Sequence, residues 1–518
     1  MVLRQTLFIL IFIAGVIFSS SCRGRNNDFV TVALSEKFSS LDTLTTKSSD
    51  AAAERVRTLI FNSLVKKDEK FDYVGDLAQE IQTSDDGKTI TFVLRDNVKF
   101  HNGKILSSSD VKYTFDELFK RTDSYKGNAF YETVNNVKTP HITSIETPDA
   151  KTVVFKISRA PLKNQLLSNL VTIPIIPEGT VDQQENQPIG SGAFKLTNFD
   201  KSQNIIELEA NPDYWEGAPK VPKIRVKSVT DASSLQAELQ SGSVDIAPLP
   251  TNLAPDTLKS LGEKANLKVE QFSGSNIQYL QFNTQEAPLS NVKLRQAIAY
   301  GIDREKIIGE LLSGQATIAH SMLPTDSWAY NVGTKYAFDP AKARQLAQES
   351  GYKGEPLKYK ISSGQKAVSD YSQVIQNSLK DVGINVDIEP LDSNVMRQQV
   401  GLGQFQINTG IWVGGNQDPI FLRDLFSTGK IPTPKGGCCN RSRYSNPELD
   451  RIVEEAYNTP DRDAAKELYF KAQDIVSNDV PMLPLWYPAN MVVFNKRVGN
   501  IKIGASGDWS FIKDIVLN

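Results

Sequence analysis

Residues 87–111 read GKTITFVLRDNVKFHNGKILSSSDV, a strand, a tight turn and a helix start in that order. Ile90, Phe92 and Leu94 recur at every second position, the period of a half-buried strand. Asn102-Gly103 is a turn pair. Ser107, Ser108, Ser109 and Asp110 then offer side-chain acceptors for the free N–H groups of a first helical turn, and Val111, Phe115, Leu118 and Phe119 follow at helical spacing.

The same alternation of strand and helix continues outward. Thr152 to Ile157 is a strand, and a cluster of Pro174, Pro177, Pro188, Gly190 and Gly192 marks a break between units. Ile205 to Glu209 and Ile224 to Val229 are strands separated by the turn Asn211-Pro212-Asp213-Tyr214-Trp215, and Asp231 to Leu239 is a helix stopped at Gly242. A second unit begins near Gly274 with a strand at Tyr279 to Phe282. Asn291 there caps a helix whose apolar stripe runs from Leu294 to Leu311. Lys358 to Ile361, Tyr371 to Val382 and Ile384 to Ile388 make a strand-helix-strand unit, and helices start at Asn446-Pro447 and Arg462. The class is α/β with mixed sheets.

The chain has 518 residues, 40% apolar and 23% charged, enough for a large core. The 58 Lys and Arg against 60 Asp and Glu leave a formal charge of −2, so no basic field attracts nucleic acid. Three histidines and three cysteines supply neither a zinc cluster nor a disulfide framework, and no metal or cofactor is expected.

Residues 1–22, MVLRQTLFILIFIAGVIFSSSC, have the layout of an export signal: Arg4, an apolar run from Leu7 to Phe18, then small residues. That run is 12 residues long, short of the ~20 a spanning helix needs. Cys22 directly behind the serines resembles a bacterial lipobox, in which cleavage leaves a lipid-modified cysteine at the new N-terminus. Ser19 stands where that pattern usually carries Leu. Ordinary cleavage and a short uncleaved anchor are the alternatives. Adjacent Cys438 and Cys439 read either as a vicinal disulfide forming a rigid turn or as two unpaired thiols.

Catalytic motifs are missing. The sequence holds no G-x-S-x-G, H-E-x-x-H or G-x-x-x-x-G-K-[ST]. Ser63-x-x-Lys66 and Ser290-x-x-Lys293 match a loose spacing without the companions of a penicillin-recognising enzyme. His101 beside its turn reads as a structural hydrogen-bonder, and Gly190-Ser191-Gly192 as a backbone turn.

Eight blocks in order resemble one family, the extracellular solute-binding proteins of family 5, which feed peptide, nickel and related ABC importers. They are Gly87 to Gly103 running into Val111, Pro188 to Phe194, Asn211 to Trp215, and Gly242 to Ile246. Then come Phe282-Asn283-Thr284 with Val292 to Arg304, Trp412 to Pro419, Tyr444 to Asp450, and Asp479 to Leu485. The resemblance implies a two-lobed periplasmic-binding-protein fold of type II, in the large class with an extra inserted subdomain. Lobe I combines 28–69, 188–272 and 484–518; the insert is 70–187; lobe II is 273–483.

It also implies a monomer without catalysis that captures a small, peptide-like solute. The solute passes to an ABC permease and its ATPase, with a lipid anchor holding the protein in the envelope. Lys37, Phe38 and Ser39 follow the first strand, where open α/β sheets bind ligands. Trp412, Gly415, Asn416, Gln417 and Asp418 resemble the family's cleft loop. In many peptide-binding members an aspartate three residues after that tryptophan pairs with the peptide's amine; here the position is Gly415, and Asp418 matches a separate acid before proline. Phe272, Ser273 and Gly274 are read as a hinge between lobes. The same fold holding an oligosaccharide, a metal chelate or a signalling molecule is the alternative. An envelope hydrolase is a distant one that requires a Ser or Cys within reach of His.

Overall fold

The computed structural model describes residues 29–38, 40–47, 50–134, 137–363, 365–412, 418–433 and 439–518. The lipobox-like Cys22 and the signal segment lie outside the described residues, as do Ser39, Gly415, Asn416, Gln417 and Cys438. Cys439 is disulfide-bonded.

Two mixed sheets carry the two lobes. The first has seven strands in the order Phe194–Asp200, Ile205–Ala210, Lys223–Ser228, Val30–Leu34, Ile246–Pro248, Asn490–Asn495 and Leu267–Phe272. Val30–Leu34 lies at its centre, pairs parallel with both neighbours and is buried throughout. Its alternate side chains feed two cores: Val30, Val32 and Leu34 pack on one face and Ala33 on the other. The second sheet has six strands, Ala316–Ile318, Met482–Pro488, Ile277–Phe282, Ile407–Trp412, Leu357–Ser362 and Val386–Leu391. Here Leu280 and Phe282 enter one core while Ile277 and Tyr279 enter another, so this sheet too is covered on both faces.

The opening motif folds as its pattern demands. Thr89–Leu94 is a strand with Ile90, Phe92 and Leu94 buried, in a four-stranded sheet with Ala78–Thr83, Thr152–Ile157 and Ile142–Glu146. Helix Ser108–Lys120 follows, its start fixed by Ser107 N–H donating to Asp110 Oδ2 at 2.9 Å. Phe115 from the helix meets Phe155 of the sheet edge-on at 5.1 Å between centroids. These side chains belong to the same core as Val30 and Val32, so the inserted unit shares lobe I's hydrophobic interior.

Three boundaries differ from the sequence expectation. The cut at 69/70 falls inside a hairpin, because Val65–Lys67 pairs antiparallel with Tyr73–Gly75. The return to lobe I comes at Ala489 instead of 483/484, since the strand Met482–Pro488 stays in the lobe II sheet before Asn490 enters the other. The apolar stripe from Leu294 to Leu311 is not one helix. Helix Val292–Tyr300 stops at Gly301, and Asp303 caps a new start by accepting Lys306 N–H at 2.9 Å.

Several of the motif blocks meet at the seam between lobe I and the insert. Gly190 and Gly192 lie against the end of helix Ala51–Ile60, where a Cβ on Gly190 would stand 2.1 Å from Ile60 O. His101 N–H donates to Gly190 O at 2.8 Å, and its ring bridges the same turn. Nε2 faces Gly192 O at 3.0 Å and Nδ1 accepts Gly190 N–H at 3.4 Å. Trp215 Nε1 donates to Asn62 Oδ1 at 3.3 Å while Arg95 covers the Trp215 ring at 4.5 Å. These blocks join the chain's units to one another.

The His101 contacts require a neutral ring, because a proton on Nδ1 would confront an N–H donor. Burial holds its pKa down to about 4 against an ordinary 6.5. The unfolded chain therefore takes up a proton here between those values and the folded chain does not. The stabilising effect of the neutral ring is complete above pH 6.5 and is lost as pH falls towards 4. Urea unfolding at pH 7 and pH 4.5 should show His101→Asn losing less stability on acidification than the natural chain, by ~2 kcal/mol. Equal losses in both proteins would contradict this role.

Candidate functional site

The chain crosses between sheets at two adjacent places. Phe272 ends a lobe I strand and Ile277 begins a lobe II strand, so Ser273, Gly274, Ser275 and Asn276 form one crossover; Ala489 forms the other. They touch. A Cβ on Gly274 would lie 2.0 Å from Pro488 O, and Asn490 Nδ2 donates to Ser273 O at 3.2 Å. The two crossovers thus pass side by side from one sheet to the other.

Near the crossovers, helix Pro255–Gly262 of lobe I faces the turn Ile307–Leu311 of lobe II across a cavity of about 440 Å³, lined in part by Asp256, Lys259, Gln271, Glu310 and Gln315. Gln315 Nε2 donates to Pro255 O at 3.1 Å and Gln271 Nε2 to Gly314 O at 3.2 Å, tying the lobes together on this side.

The residues singled out from sequence fall in different surroundings. Lys37 is exposed on the loop after Val30–Leu34. Phe38 is 4% exposed, stacks near Phe199 at 5.7 Å and exchanges backbone hydrogen bonds with the Asn204 side chain. It packs as a core side chain of lobe I. Trp412 ends the strand Ile407–Trp412, half-buried, with its ring edge-on to Phe421 at 5.5 Å. That strand also carries Ile411, 48% exposed. Two positions before Trp412, Gly410 gives the Tyr279 ring room to lie across the strand, since a Cβ there would stand 2.6 Å from Tyr279 Oη.

Asp418, where the described chain resumes, is 7% exposed. Its Oδ1 accepts Ile420 N–H at 3.1 Å, and its Oδ2 accepts the Tyr73 hydroxyl at 3.3 Å. Burial pushes the Asp418 carboxyl up, opposed by that N–H and by nearby Lys67. Burial likewise drives Lys67 down to about 8, against the pull of Asp418. Tyr73 and Lys67 come from the hairpin at the start of the insert, so this carboxylate is held from two bodies at once. Sequence reading missed both partners: nothing local in 65–75 marks them for a contact 345 positions away.

Among the described residues, no group of three or more His, Cys, Asp and Glu is placed to hold a metal, and no helix is long and apolar enough to cross a membrane. The three histidines lie in different surroundings. His101 serves the glycine turn, and burial holds His141 and His320 down to about 4.

Two sheet-centred lobes, joined by paired crossovers and meeting across polar side chains, define a two-lobed solute-binding protein. The chain belongs to the bacterial extracellular solute-binding proteins of family 5, whose middle-region model matches residues 72–432. Members of that family are solute-binding proteins and not enzymes. The chain is 30% identical over 438 residues to the probable D,D-dipeptide-binding periplasmic protein DdpA of Escherichia coli, covering 82% of this chain and 81% of that one. It is 28% identical over 468 residues to heme-binding protein A of Haemophilus influenzae, covering 85% and 83%. Its fold matches the ABC transporter substrate-binding protein CtaP of Listeria monocytogenes with a TM-score of 0.83 at 22% identity, covering 94% of this chain and 99% of that one.

Proposed function

We propose that this protein captures a peptide-like solute between its lobes outside the cytoplasm and delivers it to an ABC permease. Family membership over most of the chain carries the reading, and the paired crossovers supply the motion it needs. A solute with higher affinity for the closed form shifts the population towards it, and the permease reads that closure. A micromolar solute brings ~8 kcal/mol, ample to offset a modest closing cost. The peptide class follows the relative named for D,D-dipeptide binding. A non-peptide solute is the second reading, favoured by Gly415 in place of the amine-pairing aspartate and by a relative named for heme binding.

On this reading the loop from Trp412 through Gly415, Asn416 and Gln417 to Asp418 faces the solute from lobe II, and Lys37 with Ser39 from lobe I. Phe272, Ser273 and Gly274 form the hinge together with Ala489. Cys22 carries the lipid, and the protein works as a monomer on the membrane surface. A diacylated, N-acylated cysteine has enough apolar chain for stable anchoring.

Native mass spectrometry of protein purified without unfolding tests the substrate class. A set of bound peptide masses is the expected result. A single heme, chelate or sugar mass retained in their place would overturn the peptide reading and leave the two-lobed capture role standing.

A further inference from the structure

Three contacts join the inserted unit to one flank of lobe II. The innermost is the Tyr73 hydroxyl on Asp418. Lys67, Tyr73's antiparallel partner in the hairpin, holds its ammonium 5.2 Å from the Tyr73 ring and in the field of the same carboxylate. The second is a stack in which the Arg159 guanidinium stands 5.5 Å from the Tyr457 ring. Arg159 is steadied by Glu132 at 2.6 Å, and Arg423 lies 4.3 Å from the same ring. Tyr457 and Ile420, both from lobe II, pack into the core of lobe I and the insert. The third is an ion pair at the rim between Arg462 and Asp72.

We propose that the inserted subdomain is a closure element of the binding cycle, with Tyr73 a positioning residue that pins Asp418 and Arg159 completing the latch on Tyr457. The inference rests on the solute-capture reading and adds to it which part of the fold recognises the closed state. Within lobe II, Asp418 keeps Ile420 N–H; its Tyr73 partner, and the Lys67 charge beside it, come from across the gap. Opening the lobes would separate them and expose the Tyr457 ring to water.

The contacts differ in weight. The rim pair is largely exposed, and pairs of that kind contribute little. The hydrogen bond to the buried Asp418 carboxylate carries most of the latch; Arg159, its side chain 36% exposed, adds a stack on the buried Tyr457 ring that is worth less. A latch of this strength biases an equilibrium without deciding it, leaving the decision to the solute.

Hydrogen exchange read by mass spectrometry on the full chain, with no solute added, tests this. The comparison is between the natural protein, Tyr73→Phe, Arg159→Met and the pair together. Tyr73→Phe removes one oxygen and keeps the ring, so folding should survive. Amides of 420–426 and of 454–459 in lobe II should exchange about tenfold faster in either variant. Those of the central strands Val30–Leu34 and Leu357–Ser362 should keep their natural rates.

Lobe II rates within about twofold of natural in the paired variant, or acceleration confined to 78–157 of the insert, would overturn the proposal. The latter result would mean that the residues merely pack their own subdomain. Once co-purified solute is removed by unfolding and refolding every variant alike, a chain that retains no peptide in native mass spectrometry can still pass or fail this test independently.

Discussion

Replacing Arg295 with alanine is expected to lower the unfolding midpoint of lobe II by roughly 10 °C. The side chain is 4% exposed and has no carboxylate in hydrogen-bond contact among the described residues. Its guanidinium instead donates to four carbonyls: Leu289 at 2.7 Å, Ser290 at 3.2 Å, Asp479 at 2.9 Å and Val480 at 3.1 Å. Two of these lie at the C-terminal end of helix Arg462–Asp479, where Val480 adopts φ 46° and the chain turns into the strand Met482–Pro488. The last carbonyls of a helix have no partner within it, and here a buried cation supplies one.

Truncation leaves several buried acceptors unpaired, each costing about 1–3 kcal/mol, for a total on the order of 3–5 kcal/mol. Lysine keeps the charge but not the planar fork that reaches both segments, so Arg295→Lys should recover less than half of the loss. Differential scanning calorimetry of the three proteins decides the matter. A midpoint for the alanine variant within about 2 °C of natural would contradict this account.

Arg295 also shows what the sequence could and could not convey. The eight blocks identify the family, yet the described side chains within them mostly bind one part of the chain to another. Arg304 donates to Ala319 O, Pro484 O and Tyr336 O, again serving carbonyls. Asp245 takes the two nitrogens of Arg497 and the Thr31 N–H, fixing the first strand of lobe I to the C-terminal segment. His101 holds the glycine turn.

Motif order is legible because a fold with chain crossings at fixed places repeats the same joints. Strand period and helix caps are legible because they are local, as at Ile90, Phe92 and Leu94 or at Ser107 and Asp110. The boundary at Ala489 was not, because Met482–Pro488 and Asn490–Asn495 follow each other with one residue between and only pairing divides them between sheets. The packing of Phe38 was illegible for a related reason. An aromatic just after a strand fits a ligand loop as well as a core, and only its contact with Phe199 separates the two. The Tyr73–Asp418 bond joins residues that share no local pattern, so this contact emerges from tertiary structure alone.

The site itself yields the second large effect. Gly415→Asp is expected to strengthen binding of a dipeptide with a free amino terminus by roughly tenfold to a hundredfold, a gain that a charge-assisted hydrogen bond supplies when water is excluded. The position is three residues after Trp412, where many peptide-binding members of the family carry an amine-pairing aspartate. Isothermal titration with alanyl-alanine and its N-acetyl analogue separates the charge effect from any change in loop shape. The free amine should gain and the acetylated peptide should not.

Asp418 cannot substitute for the missing carboxylate while its oxygens are engaged by Ile420 and Tyr73, and burial already disfavours its charge. If the variant gains nothing for either peptide while the natural protein binds only the free-amine peptide tightly, the amine is held by another group. If the natural protein binds neither and the variant binds only the free amine, Gly415 is what turned this cleft away from ordinary peptides. The solute would then be one whose recognition needs no cationic end.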